Sequence, residues 1–379
     1  MRIGVPKESR AGETRVAATP DSVKKLKKKN FQIAIERGAG LAAHYTDEAY
    51  VAAGAEIVDN DAAFGCDAVI KIHKPNPGEL KKMKKGAVLV SLLEPYLKDG
   101  TIDSLAAAGI DAVALELIPR TSRAQSMDVL SSQAGVAGYR AVLESATHYG
   151  RFFPMMMTSA GSVKACKFAI LGVGVAGLQA IATARKLGAL VEAYDVRPEV
   201  RDQIISLGAK PIELDIGESG SGTGGYAKEL SEDAKRKQQE ALTQRLKGFD
   251  IIVTTANIPG RKSPTLVTED AVKGMRAGSV IVDMAAANGG NCPLTEADKI
   301  TVKNGVTLIG ITNFPALCPT DASHFFAQNM VNLLDILWER SPPSGDQKTS
   351  DSAFGGLQLA DDIVAAALVT NKGALCRPQ

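Results

Sequence analysis

The chain has 379 residues, 45% of them hydrophobic, which is long for a single core and suits two α/β domains. Lys and Arg number 44 against 42 Asp and Glu, and the net charge of +2 speaks against a nucleic-acid surface or a strongly acidic partner. Five cysteines without a CxxC and four histidines without metal-ligand spacing exclude a disulfide framework and a metal centre, and no apolar run approaches the about 18 residues of a membrane span.

The N-terminal MRIGVPKESR reads as a strand, Arg2 to Val5, and not as a signal peptide; with scattered cysteines this points to a reducing cytosol. Thr19-Pro20-Asp21 starts a helix through Lys29, with Pro20 in its first turn. Strands are expected at Phe31–Glu36, Glu56–Val58, Ala68–Ile72, Ala87–Ser91 and Asp111–Ala114, with helices such as Asp47–Gly54 and Thr101–Ala108 between them. That alternation implies a parallel sheet covered on both faces.

The segment Leu117 to Asp128 follows the last of these strands, at the carboxyl end where α/β proteins place ligands. It carries Arg120, Thr121, Ser122, Arg123, Gln125 and Asp128, and Ser131 comes next. Such a loop can offer a carboxamide both donors and an acceptor. It can equally be a solvated helix cap, with Ser126 and Asp128 satisfying free N–H groups. Ser131 to Tyr149 then reads as a long linking helix, and Phe153-Pro154-Met155-Met156-Met157 as core and interface packing.

Lys167 to Leu171 is an apolar strand running into Gly172-Val173-Gly174-Val175-Ala176-Gly177, a G-x-G-x-x-G turn. A helix from Leu178 to Leu187 and a strand from Leu190 to Tyr194 follow, and Asp195 stands about 20 residues past the glycines. This is the context of a dinucleotide site, whereas the bare glycine pattern is weak. Gly172 allows the tight turn, Gly174 lets backbone approach a pyrophosphate, and Gly177 lets helix pack on strand. Free N–H groups at the helix start favour the diphosphate. Asp195 can accept from both ribose hydroxyls and repels a 2′-phosphate, so NAD(H) is expected and not NADP(H).

Gly217 to Tyr226 holds five glycines in ten residues, a candidate lid with Tyr226 closing over the cofactor or else a loop without a role. Further strands are expected at Lys210–Glu213, Ile251–Thr254, Val280–Asp283 and Thr307–Ile311. The turns after two of them place Thr255, Ala256, Asn257 and Asn288–Asn291 near the nucleotide, while Asp283 reads as structural. Ala322 to Arg340 is expected to be a long helix, Ser341–Ser352 a linker, and Leu357–Leu368 a last helix. The fold class is therefore α/β: two Rossmann-like doubly wound parallel-sheet domains joined by long helices. One spans 1–130 plus 320–379; the other, 140–312, is the NAD(H)-binding one.

RAQSMD (123–128), FPMMMTSAG (153–161), GVGVAGLQAIATARKLGA (172–189), YDVRPEV (194–200), GGYAKE (224–229), TTANIPG (254–260) and GGNCPL (289–294) carry a resemblance. They resemble the NAD(H)-binding domain I of the Re/Si-specific, proton-translocating nicotinamide nucleotide transhydrogenases. GVPKE and ETRVAATP are shared with the related alanine dehydrogenases. The resemblance implies direct hydride transfer between NAD(H) held here and NADP(H) held by a separate domain III, with a membrane domain II coupling the exchange to proton translocation. It implies a separate alpha-1 subunit, a homodimer, cytoplasmic and attached to the inner membrane only through its partners.

By the matching motifs, Arg120, Asp128 and Ser131 bind the nicotinamide, and Gln125 reaches the NADP(H) ribose. Thr121, Ser122 and Arg123 share that loop. Val175 contacts the nucleotide at the glycine turn, and Asp195, Val196 and Arg197 the adenosine ribose. Gly225 and Tyr226 belong to the closing loop. The set expected to act on the reacting ring is Arg120, Gln125, Asp128, Ser131 and Tyr226. Departures from the pattern are Asn257 in place of Leu, Ala287 where some relatives carry an acid, and the unmatched tail after Arg340.

Two alternatives remain at this level. An alanine dehydrogenase would use Arg15 for a carboxylate, but its lysine falls at His73 (Lys71 and Lys74 lie nearby), its histidine at Leu93 and its acid at Ala287. A non-catalytic NAD(H) sensor needs only the glycine turn and Asp195.

Overall fold

The computed structural model describes residues 1–214, 232–257, 260–340 and 354–376. In chain order the strands are β1 Arg2–Val5, β2 Gln32–Glu36, β3 Glu56–Val58, β4 Ala68–His73, β5 Val88–Leu92, β6 Asp111–Ala114, β7 Met156–Thr158, β8 Gly161–Val163, β9 Lys167–Leu171 and β10 Leu190–Tyr194. They continue as β11 Lys210–Pro211, β12 Ile251–Thr254, β13 Val280–Asp283, β14 Ile300–Lys303, β15 Val306–Ile309, β16 Trp338–Arg340, β17 Phe354–Leu357, β18 Leu368–Asn371 and β19 Ala374–Leu375. Two compact units result: Met1–Gln133 with Pro315–Gln379, and Ala134–Phe314.

The first unit holds an eight-stranded sheet in the order β19-β18-β6-β5-β4-β1-β2-β3. Its strands pair in parallel from β3 to β6, while β18 and β19 close one edge antiparallel. Because side chains alternate, Ile70, Ile72, Val90 and Val113 enter one core and Val69, Leu89 and Ala112 the other. Burial on both faces is why these strands read as continuous apolar runs.

The second unit repeats the plan with the order β11-β10-β9-β12-β13-β15-β14. All its pairs are parallel except β14 with β15. Phe168, Ile170, Val253 and Val282 face one core; Ala169, Leu171, Ile252 and Ile281 face the other. The chain starts in the middle at β9, moves outward through β10 and β11, then returns to the far side of β9 at β12. The switch point thus lies between β9 and β12, and the crevice beyond their carboxyl ends is where such sheets bind ligands.

Three expectations are corrected. The helix expected to run to Arg340 is Pro319–Ile336; the chain then enters β16, which pairs with β17. The expected last helix, Leu357–Leu368, is a strand end, a six-residue helix (Asp362–Ala367) and β18, whose Thr370 hydroxyl bonds the Ile110 carbonyl. The pairing gives the otherwise open edge of β6 a backbone partner. The methionine run is not core: Phe153 is buried, but Met155 and Met157 are 64% and 73% exposed, on and beside the β7–β8 hairpin.

Candidate functional site

The three glycines of the turn after β9 meet different constraints. Gly172 sits at φ +97°, which L side chains rarely adopt, and an added Cβ would lie 2.6 Å from the Thr255 hydroxyl. At Gly177 a Cβ would lie 2.0 Å from the Gly172 carbonyl oxygen, so only glycine lets the Val175–Lys186 helix sit this close to β9. Gly174 has nothing within 4 Å of an added Cβ. Neither backbone conformation nor neighbours require glycine there, so the open space over its backbone is available to a ligand. Among the described residues Gly174 caps the helix without a side-chain hydrogen bond, as a helix start with free first-turn N–H groups. Backbone donors, a helix start and an open approach fit a diphosphate.

Asp195 follows β10 and closes onto the same turn. Its carboxylate accepts from the Val173 N–H at 2.7 Å, the Arg197 N–H at 2.9 Å and the Arg197 guanidinium at 3.0 Å. Burial alone would raise this carboxyl, but Arg197 and the two backbone donors outweigh it and hold it below the usual carboxylate range. Val175 and Val196 are exposed. After β12, the Thr255 hydroxyl donates to the Gly172 carbonyl at 2.9 Å and so ties the two strand ends at the switch point. Asn257 accepts from the Asn288 amide at 2.8 Å. Ala256 offers its carbonyl to Asn291, which also bonds the Pro264 carbonyl, both at 2.8 Å. Asn291 is fully buried, so this residue staples the loops, and no approach of its side chain to a ligand is open. Asp283 is likewise buried and accepts from Thr254, Ala285 and Cys292.

The polar loop of the first unit is held differently. Asp128 accepts from the Ser131 N–H at 2.9 Å and the Ser131 hydroxyl at 2.5 Å, which is the helix-cap geometry for Val129–His148. Arg120, Thr121, Ser122 and Gln125 are exposed. The Arg120 guanidinium and the Gln125 amide form no ion pair or hydrogen bond among the described residues. Arg123 is engaged instead with Asp361, at 2.7 and 2.8 Å, and with Asp362. Gly225 and Tyr226, with the rest of the glycine-rich stretch, lie outside the described residues. Among the described residues no acid, thiol and imidazole groups cluster as a metal site, and no helix is long and apolar enough to cross a membrane.

The sequence profiles of the alanine dehydrogenase/PNT N-terminal and C-terminal domains match residues 4–137 and 141–378. The chain belongs to the alanine dehydrogenase/PNT family. Within the family it is 45% identical to the first part of the NAD(P) transhydrogenase subunit alpha of Rhodospirillum rubrum, over all of this chain and 98% of that one. A transhydrogenase structure from Sinorhizobium meliloti superposes with a TM-score of 0.88 at 40% identity, covering 99% of this chain and 100% of the other. Alanine dehydrogenase 1 of Staphylococcus aureus stands at 27% identity over 88% of this chain and 87% of its own.

The positions that would serve the alanine dehydrogenase branch are tied up internally. Arg15 is 4% exposed; its guanidinium takes Glu13 at 2.7 and 2.8 Å and Gln133 at 2.8 Å. His73 shares the same Glu13 at 2.7 Å. Lys71, also buried, pairs with Glu79 at 3.0 Å and faces Glu8 at 3.8 Å. Burial pushes the Glu8 carboxyl up against the pull of Lys71, and Lys74 is held by Glu94 and Asp99. Leu93 is buried, and Ala287 brings no acid.

Proposed function

We propose that this chain is the NAD(H)-binding component of a proton-translocating transhydrogenase. NADH bound at the glycine turn supplies a hydride to NADP+ carried by a partner domain III, and a membrane domain II couples the exchange to proton movement. The observation that carries the reading is the space over Gly174 at a helix start, with Asp195 beside it. An acceptor there suits the two hydroxyls of an unphosphorylated ribose and disfavours a 2′-phosphate, which selects NAD(H) over NADP(H) on this chain.

The chain's residues would divide the work as follows. Gly172, Gly174, Val175 and Gly177 receive the diphosphate; Asp195, Val196 and Arg197 hold the adenosine ribose; Thr255, Ala256 and Asn257 flank the nucleotide. Arg120, Asp128 and Ser131 orient the carboxamide, with Thr121, Ser122 and Arg123 in the same loop, and Gln125 addresses the partner's nucleotide. Gly225 and Tyr226 close over the cofactor. Hydride transfer needs no nucleophile or metal; it needs two rings held together with water excluded. The assembly is a homodimer at the cytoplasmic face of the inner membrane, attached through its partners. Met155 and Met157 support the dimer, since large exposed apolar side chains grouped at and just before one hairpin mark contact surfaces.

The test mixes the purified chain with domain III, NADH and thio-NADP+, and in parallel with NAD+ and alanine. Transfer between the nucleotides supports the proposal. Conversion of alanine would support the alanine dehydrogenase reading, which the internal pairing of Arg15 and Lys71 disfavours. NADH binding without either reaction would leave a sensor.

A further inference from the structure

The segment from Arg120 to Asp128 has almost no regular structure of its own: a single 3-10 turn, Gln125–Met127. A free loop of this composition would sample many conformations. Here it is clamped on both sides of Gln125. Ala124 and Met127 are buried in the core of the first unit, at 0% and 6% exposure. The Ser126 carbonyl accepts two amides from the Pro319–Ile336 helix, Asn329 at 2.8 Å and Asn332 at 3.0 Å. Those two asparagines stand three apart, hence on one helix face, and a carbonyl oxygen has two lone pairs to receive them. Asn329 also accepts from the Ser132 hydroxyl at 2.7 Å.

On the other side, Arg123 forms its forked pair with Asp361. Asp361 does not float: its carboxylate caps the Asp362–Ala367 helix through the Ile363 and Val364 N–H groups. Arg123 in turn lowers the Asp361 carboxyl. The side-chain clamps on Arg123 and Ser126 therefore come from chain beyond residue 319, while the Gln125 amide itself stays exposed and unbonded among the described residues.

We propose that Asn329, Asn332 and Asp361 are positioning residues for the 3-10 turn at Gln125, fixing its backbone so that the exposed amide meets the partner's nucleotide in one orientation. The segment around Asp361, for which the sequence offered no role, thereby contributes to transfer without touching either cofactor. This rests on the function proposed above and specifies how its cross-partner residue is held. Preorganisation of this kind acts on the reacting geometry and not on cofactor affinity.

The test uses the full chain as Asp361→Asn combined with Asp362→Asn, which removes both carboxylates that Arg123 bonds, and as Asn332→Ala. Asparagine remains a good helix cap but cannot form the ion pair, and Asn332 bonds nothing else among the described residues, so both variants keep the fold. Three quantities are measured: NADH affinity by fluorescence, single-turnover transfer to thio-NADP+ on domain III, and amide exchange over residues 124–128. The expected result is NADH affinity within about two-fold of the parent, transfer slowed about ten-fold, and faster exchange confined to that segment. Transfer at the parent rate overturns the proposal, and so does loss of NADH affinity in step with transfer, which would signal a merely structural role. If the parent chain transfers nothing, the functional reading fails; the exchange experiment then still decides the clamp, and unchanged exchange in both variants overturns it.

Discussion

Asp195 is engaged at both oxygens: the Val173 N–H holds it to the glycine turn, and the Arg197 N–H and guanidinium take its remaining acceptor sites, so a ribose binds there by displacing the Arg197 guanidinium. Asp195→Ala should weaken NADH binding about ten- to hundred-fold, because hydrogen bonds to a charged group contribute roughly 1.5–3 kcal/mol. Fluorescence titration checks this, and unchanged affinity refutes the assignment. Its folded pKa lies below the unfolded value of about 3.9. A depressed pKa gives stability that is present above the unfolded value and lost as pH falls through the folded one. NADH affinity should accordingly be level from about pH 5 to 8; an Asp195-dependent titration inside that window contradicts the account. Gln125→Asn should leave NADH affinity unchanged and slow transfer, and loss of NADH binding would refute a role across the partner contact. The glycines and Asp195 were legible in the chain because the strand, turn, helix and acid recur at a fixed spacing. Asn291, Asn329 and Asp361 were not, because their partners lie up to 238 positions away and asparagine or aspartate in isolation carries no such signal.

At the scale of the element, the turn and helix at 172–186 separate folding from binding. Gly177→Ala drives a methyl into the Gly172 carbonyl and should cost about 1–3 kcal/mol of stability. Gly174→Ala meets no neighbour and should leave melting within about 2 °C of the parent, yet block NADH where the diphosphate approaches. Thermal melts and NADH titrations of the pair check this; a Gly174→Ala protein that binds NADH normally shows that the open space serves no phosphate. The parallel strands were legible because burial on both faces writes an unbroken apolar run. β12, β13 and β10 begin and end where their residues predict. The region 354–376 was misread because Ile363-Val364-Ala365-Ala366-Ala367-Leu368-Val369 is apolar throughout, and such a run does not distinguish helix from strand. Only the open edge of β6, over 250 residues earlier, decides it.

For the whole molecule, the repeated doubly wound plan was legible, since two sets of alternating strands and helices with one glycine fingerprint predict it. The exposed methionines were not, because methionine spacing resembles core packing until the hairpin is seen. If the homodimer is real, the parent should sediment at twice the chain mass, and Met155→Glu with Met157→Glu should shift it toward the monomer; an unshifted dimer places the contact elsewhere.

The most direct measurement follows an isotope. NADH deuterated at the reactive C4 position is mixed with this chain, domain III and NADP+, and the products are read by mass spectrometry. The account predicts deuterium in NADPH and none in water. Deuterium lost to solvent, or no labelled NADPH although NADH binds, contradicts it.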